Sequence, residues 1–299
     1  MKPKIGKPDS ICTRAELLDL AQRCVSAKSM RGAIRVVDNF IATLPQNHTR
    51  GSWFQCFTAV RRGLKQGVPS YRVFTFGNTK LPFASFSTLP VITCPGLGDC
   101  LTYCYSLTSW RNPGAYCRQL QNTLLLRFAP DIVESAFLAL PNDIELRLYV
   151  DGDFESSERI AFWFRLLFGR LDINAYGYSK SWAQFIEYSH NVGIWPENYA
   201  LNLSSGSVHD NKPDWIAAMQ ALPITRGYFL SVKIDDTDLP RGFARYESAE
   251  YHKRVREALR AEHGKRTVSC GGLCGSCGNG KHWCGDMQLQ GLTIGIGIH

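Results

Sequence analysis

The stretch "IELRLYVDGDF", Ile144–Phe154, reads as a strand that ends on two aspartates flanking a glycine. It leads into "SERIAFWFRLLFGRL" (Ser157–Leu171), apolar at helical spacing, and then into "INAYGYS" (Ile173–Ser179), a second strand. Strand, helix and strand in this order form the unit from which parallel sheets are built. The same alternation continues. The helix "WAQFIEYS" precedes the strand "YALNLSS", and the helix "DWIAAMQAL" precedes "GYFLSVKI". A last helix, "YHKRVREALRAEH", precedes "RTVSC". Upstream, "YRVFTFG" (Tyr71–Gly77) and "LPVITC" (Leu89–Cys94) read as strands and "AYCRQLQNTLLLRF" as a helix. The expected fold is α/β over residues 71–299, a partial or full parallel α/β barrel or an open sheet, with a Cys-rich C-terminal tail.

Residues 1–70 read as a short basic helical segment. "TRAE" (Thr13–Glu16) is a capping-box pattern ahead of Leu17, Leu20, Ala21, Cys24 and Val25 at helical spacing. Ile34, Val37, Ile41 and Leu44 repeat the spacing, "QNHTRGSWF" breaks it, and "RRGLKQGVPS" reads as a basic connection. Residues 1–72 carry thirteen Lys/Arg against four Asp/Glu, a net of +9, whereas the remaining 227 residues carry a net of −1. This asymmetry makes nucleic acid or an acidic protein the expected partner class, with a solvated helical face as the alternative. No apolar run of signal-peptide or membrane-spanning length occurs, so a cytoplasmic protein without a membrane partner is expected.

In parallel α/β folds, loops at the C-terminal strand edge converge on the active site. The strand-and-helix reading places Cys94, Asp151, Asp153, Tyr178, Lys180, Ser204, Lys233, Asp235, Asp236 and Cys270 at or near that edge. Asp151 and Asp153 could equally cap the following helix. Tyr105 and Tyr178 could be core aromatics with one wet end.

Seven of the eleven cysteines lie in two glycine-rich stretches, "CPGLGDCLTYCY" (Cys94–Tyr105) and "CGGLCGSCGNGKHWC" (Cys270–Cys284). In a reducing compartment such clusters suggest metal more than disulfides. Three thiolates, Cys94, Cys100 and Cys104, can hold three corners of an iron–sulfur cubane and leave one iron open. Cys270, Cys274, Cys277 and Cys284 would saturate their metal, as a structural or electron-transfer centre does. His282 is an alternative ligand. Zinc favours two close pairs of ligands, which neither stretch supplies, so iron–sulfur is the first expectation and zinc the alternative. Cys12, Cys24, Cys56 and Cys117 read as packed small hydrophobes. No phosphate-loop lysine or nucleophile elbow is present, which leaves nucleotide hydrolysis and serine hydrolase chemistry without support.

"FTFGNTKLP", "CPGLGDCLTYCY", "LRLYVDGDFESSERIAFW", "YGYSKSW" and the Cys-rich tail together resemble the phage "gene product 88" family, over roughly Tyr71 to Asp286. The resemblance implies a phage, plasmid or integrated element as genetic context and no particular activity. The three-cysteine loop ending in "CY" is more loosely similar to the cluster loop of radical S-adenosylmethionine enzymes. "DGDF" then stands where those enzymes bind the adenosylmethionine amino group. This second likeness implies an iron–sulfur enzyme. Asp153 would orient adenosylmethionine, with Asp151, Tyr105, Tyr178 and Ser204 around it, and Lys180 and Asp235 would line the pocket. The spacing C-x5-C-x3-C departs from the C-x3-C-x2-C of those enzymes, which occurs instead at Cys270, Cys274 and Cys277.

Overall fold

The computed structural model describes residues 12–77, 81–275, 277 and 282–298. The basic residues Lys2, Lys4 and Lys7, the "NTK" of "FTFGNTKLP", Ser276, residues 278–281 and His299 lie outside the described residues. The chain divides into two compact units.

The first unit comprises residues up to Phe74, Ser87–Thr93 and Cys104–Leu140. Its helices are α1 (Arg14–Val25), α2 (Met30–Thr43), α3 (Trp53–Gln66), α4 (Pro113–Phe128) and α5 (Pro130–Leu138). The expected capping box is present: Thr13 N donates to Glu16 Oε2 at 2.7 Å and Glu16 N to Thr13 Oγ1 at 3.2 Å. Two readings are corrected here. "RRGLKQ" is not a connection but the end of α3, because Ser52 caps Gln55 N and Trp53, Cys56, Phe57, Val60 and Leu64 form one buried stripe. "LPVITC" is not a strand but a turn. Thr93 N and Oγ1 both donate to Leu89 O (3.2 and 2.8 Å), and Val91 adopts a left-handed φ of 69°. The core joins Trp53 and Phe57 to Tyr116, whose hydroxyl donates to Leu17 O at 2.7 Å. Cys24 and Cys117 are buried as expected, and Cys117 shares a thiol hydrogen bond with Cys56.

The second unit comprises Thr75–Phe86, Cys94–Tyr103 and Pro141–His299. Its strands are β1 (Thr75–Phe76), β2 (Ala84–Ser85), β3 (Glu145–Leu148), β4 (Asn174–Ser179), β5 (Tyr199–Ser204), β6 (Thr225–Lys233), β7 (Thr267–Ser269) and β8 (Leu292–Ile298). Helices α6 (Ser157–Phe168), α7 (Trp182–Asn191), α8 (Pro213–Gln220) and α9 (Ala249–His263) fill the crossovers. The strand order is β1-β2-β3-β4-β5-β6-β8-β7, with β1–β2 antiparallel and every other neighbour parallel. Among the described residues no ladder joins β1 to β7. The sheet is therefore open, and closure into a full barrel is not observed.

Strand β8, "LTIGIGI", carries no reading in the sequence because three isoleucines alternating with glycines give little polar contrast. It lies between β6 and β7 and pairs with both. The segment 270–291 must therefore leave the C-terminal end of β7 and return to the N-terminal end of β8. Among the described residues of this segment there is no α-helix.

The two faces of the sheet are covered differently. On one, Tyr228 reaches Gln220 of α8 (2.9 Å) and the His263 ring of α9, and Phe164 of α6 packs on Tyr199 of β5. On the other, Tyr176, Ala200 and Ile294 pack with Cys284, Phe83, Tyr178, Phe229 and Trp283. Helices cover the first face; the cysteine-rich crossover covers the second. Strand alternation sends Glu145, Arg147, Tyr176, Tyr178 and Asn202 to this second face.

Candidate thiolate centre and strand-edge site

A bulge shapes the thiol-bearing face. Leu201 pairs with Thr225 but Asn202 pairs with Gly227, so β6 carries one extra residue, Arg226. Gly227 has φ +155°, and a Cβ there would stand 2.4 Å from Leu292 O, so the kink requires glycine. The bulge brings Arg226 onto the same face as Asn202. Arg226 is fully buried; its Nε donates to Asn202 Oδ1 (2.8 Å), Nη1 to Leu292 O (2.6 Å) and Nη2 to Tyr228 O (3.2 Å). Asn202 Nδ2 in turn donates to Gly177 O (3.1 Å) and to Cys284 O (2.8 Å). The guanidinium thus fixes the amide, and the amide fixes the backbone of Cys284.

All four tail cysteines lie in this unit outside any disulfide, Cys284 buried and Cys270, Cys274 and Cys277 half-buried, and Cys270 Sγ accepts from Gly272 N at 3.4 Å. Burial pushes the Cys284 thiol up to about 12, against the lowering pull of the Tyr178 hydroxyl and Arg226. Burial also raises Cys277, and a charge on Cys274 would raise it further. The thiols are thus near enough to sense one another. Among the described residues no three His, Cys, Asp or Glu side chains are drawn together as a formed cage. His282 is buried with its Nδ1 3.0 Å from Glu145 Oε2, at ion-pair distance but without hydrogen-bond alignment. It borders a cleft of about 340 Å³ shared with Asn174, Tyr176, Asp286 and Gln288. Tyr178 lies on this face, under the Arg147 guanidinium at 4.5 Å and beside Cys284.

The C-terminal strand edge holds a second group. Loop Cys94–Tyr103 is laced onto the turns after β4 and β5. Gly98 N and Cys100 N donate to Gly206 O (3.1 and 3.3 Å), and Val208 N donates to Gly96 O (3.2 Å). Gly96 lies so close to the β4 turn that a Cβ would stand 1.7 Å from Lys180 O. Asp153 is buried and fully engaged. Oδ1 accepts from Phe154 N (2.8 Å) and Ser179 Oγ (2.7 Å), and Oδ2 accepts from Lys180 N (2.7 Å). Burial raises its pKa in spite of these bonds. Lys180 Nζ donates to Ser204 Oγ at 2.8 Å.

The edge therefore joins Asp153, Lys180 and Ser204 to Cys94 and Cys100. It does not gather every expected residue. Asp235 sits in an exposed turn, accepting from Thr237 N (3.1 Å) and Oγ1 (2.9 Å), while its backbone carbonyl accepts from Arg254 of α9. Asp151 is half-buried in the turn after β3. Cys104 and Tyr105 belong to the first unit, where Tyr105 is 60% exposed. Cys94 does not end a strand; it follows the turn at Leu89–Thr93. Sequence reasoning missed Arg226, Asn202, Tyr103 and Asp210. Asp210 accepts from Gly206 N at 2.5 Å, and Tyr103 bonds Ser205. The available signal was a charge or amide inside an apolar strand, as in "TRGYFL" and "YALNLS".

Asparagine at Asp153 is expected to lower stability by about 1–3 kcal/mol, because its NH2 must face one of three donors. Thermal unfolding of Asp153→Asn checks this. An unchanged melting temperature would show that the carboxylate does not hold the turn.

These features define an open, mostly parallel α/β sheet with a cysteine-rich crossover on one face and a cysteine loop at its C-terminal edge. The family model for gene product 88 matches residues 58–280, well over half of the chain, and the protein belongs to that family. No curated protein and no solved structure matches it. Among the described residues no helix is long and apolar enough to cross a membrane.

Proposed function

We propose that the protein is a metal-binding member of the gene product 88 family, with Cys270, Cys274, Cys277 and Cys284 as thiolate ligands of an iron–sulfur cluster. The observation that carries this reading is that the crossover brings Cys270 and Cys284 onto one apolar sheet face, with Cys274 and Cys277 in the same segment and the buried Arg226 tied through Asn202 to Cys284. Four sulfur donors suit a cluster, or zinc as the alternative, and a cluster held this way supplies electron transfer or structural closure. The chain's own residues position the ligands: Asn202 holds Cys284, and the Tyr178 hydroxyl bonds its thiol. Protein purified without oxygen is expected to be brown and to contain iron and acid-labile sulfide. Colourless protein with stoichiometric zinc would replace the cluster by zinc, and protein free of both would overturn the reading.

A second reading is an enzyme similar to radical S-adenosylmethionine enzymes, with a reactive cluster on the Cys94 loop. The observation favouring it is the polar group Lys180–Ser204–Asp153 at the edge where that loop docks. In this reading Lys180 and Ser204 bind the polar groups of adenosylmethionine and Asp153 orients Lys180. The test is equilibrium dialysis with S-adenosylmethionine: wild-type binding that Lys180→Ala weakens supports it, and no binding removes it.

The basic first segment remains the candidate contact for nucleic acid or an acidic protein. Arg61 and Lys65 both pair with Asp38 of α2, the latter at 3.3 Å, and Arg23 pairs with Asp19. Asp38 serves both Arg61 and Lys65, so residues 1–72 keep their net charge of +9, and nucleic-acid affinity is expected to fall steeply with salt, by about one power of concentration per phosphate contacted. A filter-binding titration of wild type and Arg61→Ala/Arg62→Ala at two salt concentrations checks this. Binding that ignores salt removes nucleic acid as a partner.

A further inference from the structure

The buried guanidinium of Arg226 has no counter-charge among the described residues. Its three bonded acceptors, Asn202 Oδ1, Leu292 O and Tyr228 O, are all neutral. No carboxylate lies at ion-pair distance from it within the described set. Isolated buried charges carry a large desolvation penalty, and proteins retain them where an opposite charge is close. The hydrogen-bond path from Arg226 runs through Asn202 to the backbone carbonyl of Cys284.

We propose that Arg226 is the internal counter-charge of the thiolate centre, and that the centre is consequently anionic, with all four tail cysteines as ligands and His282 excluded. This rests on the metal-binding reading above. A divalent ion with four thiolates carries two negative charges, as does an oxidised four-thiolate cubane. Replacing one thiolate by a neutral imidazole removes one of these charges. Both sets are anionic and one guanidinium does not choose between them; His282 is set apart by Glu145, whose Oε2 stands 3.0 Å from its Nδ1. A positive charge tied to the Cys284 backbone favours an anionic centre there.

The bulge that places Arg226 has a corollary. Arg226 also ties β6 to β8 through Leu292 O, so its removal disturbs packing as well as charge. Two variants separate the effects. Arg226→Lys keeps the charge and loses the planar fork; Arg226→Gln keeps hydrogen-bonding capacity and loses the charge.

Full-length protein is loaded with zinc, and the affinity is measured by chelator competition for wild type, both variants and His282→Ala, with circular dichroism as the check on folding. Arg226→Gln is expected to weaken binding roughly 10–100-fold, the range seen when groups that support metal ligands are removed. Arg226→Lys is expected to retain most of the affinity, and His282→Ala to leave it within about threefold. Gln equal to or better than Lys overturns the counter-charge, as does a wild-type affinity in the Gln variant. Loss of binding in His282→Ala overturns the all-thiolate set. Should both Arg226 variants unfold, a metal affinity in Asn202→Asp equal to wild type or tighter overturns the proposal, because the added carboxylate would neutralise Arg226; the expected outcome is a weakening of at least tenfold. A wild-type protein that binds no metal overturns the metal reading and this inference together. Normal wild-type binding with unmoved variants overturns this inference alone.

Discussion

Cys284→Ala is expected to abolish the proposed metal binding and to lower the stability of metal-loaded protein by more than about 3 kcal/mol, while metal-free protein loses only about 1 kcal/mol. The asymmetry follows from the position of this residue. Cys284 is the buried thiol of the four, its carbonyl is held by Asn202, and its segment crosses a face otherwise closed by Tyr176, Ala200 and Ile294. Without metal, Cys284 acts as a small hydrophobe, and its truncation removes little volume. With metal, it joins the crossover to the sheet, and binding free energy becomes folding free energy. Denaturant unfolding of both forms, loaded and chelated, measures the two values. An equal loss in both forms would make Cys284 a packing residue and no ligand.

Gly96→Ala is expected to be the most damaging single substitution at the strand edge, at about 3 kcal/mol or more. The added methyl would lie 1.7 Å from Lys180 O, and both partners are backbone, so no side-chain rotation relieves it. Either the Cys94–Tyr103 loop lifts from the turns after β4 and β5, or those turns shift and break the bonds to Asp153. Both outcomes separate Cys100 from Gly206. Thermal unfolding with thiol labelling at Cys100 distinguishes them: the loop-lifting outcome exposes a thiol that is 7% exposed in the intact protein. A stable variant with Cys100 still protected would show that the loop has slack that these contacts do not indicate.

The run from β3 to β7 was legible because helix and strand there differ in hydrophobic period and because each pair is short. Residues Ile144–Cys270 alternate as expected, down to the individual segments. The elements that escaped share a physical cause. Strand β2 has two residues and stands before "TLPVITC", whose β-branched composition mimics a strand while Pro90 and the left-handed Val91 turn the chain. Helix α3 begins at Trp53 inside a stretch rich in turn formers, and only the Ser52 cap reveals it. Strand β8 pairs out of sequence order, and no local pattern encodes which neighbours a strand will find.

The site shows the same division. Clustering of cysteines, and the identity of Lys180, Ser204 and Asp153 as edge residues, could be read from spacing. That Asp153 accepts two of its three bonds from the end of β4 could not, since it depends on Ser179 and Lys180 meeting it from the neighbouring strand. Arg226 and Asn202 escaped for a different reason. A polar residue within an apolar strand is visible, but its meaning comes from a bulge and from a crossover segment 58 residues further along the chain, Cys284 lying beyond Arg226 by that interval. Asp235, by contrast, stood at a strand end in sequence and turned to Thr237 in the fold.

The proposed tail centre is defined by its sulfur environment. X-ray absorption at the metal edge, on protein purified anaerobically with the edge-loop thiols removed through Cys94→Ser/Cys100→Ser/Cys104→Ser, reads that environment directly. The account predicts a first shell of sulfur alone at about 2.3 Å. A shell containing nitrogen or oxygen, or a protein that retains no metal at all, would contradict it.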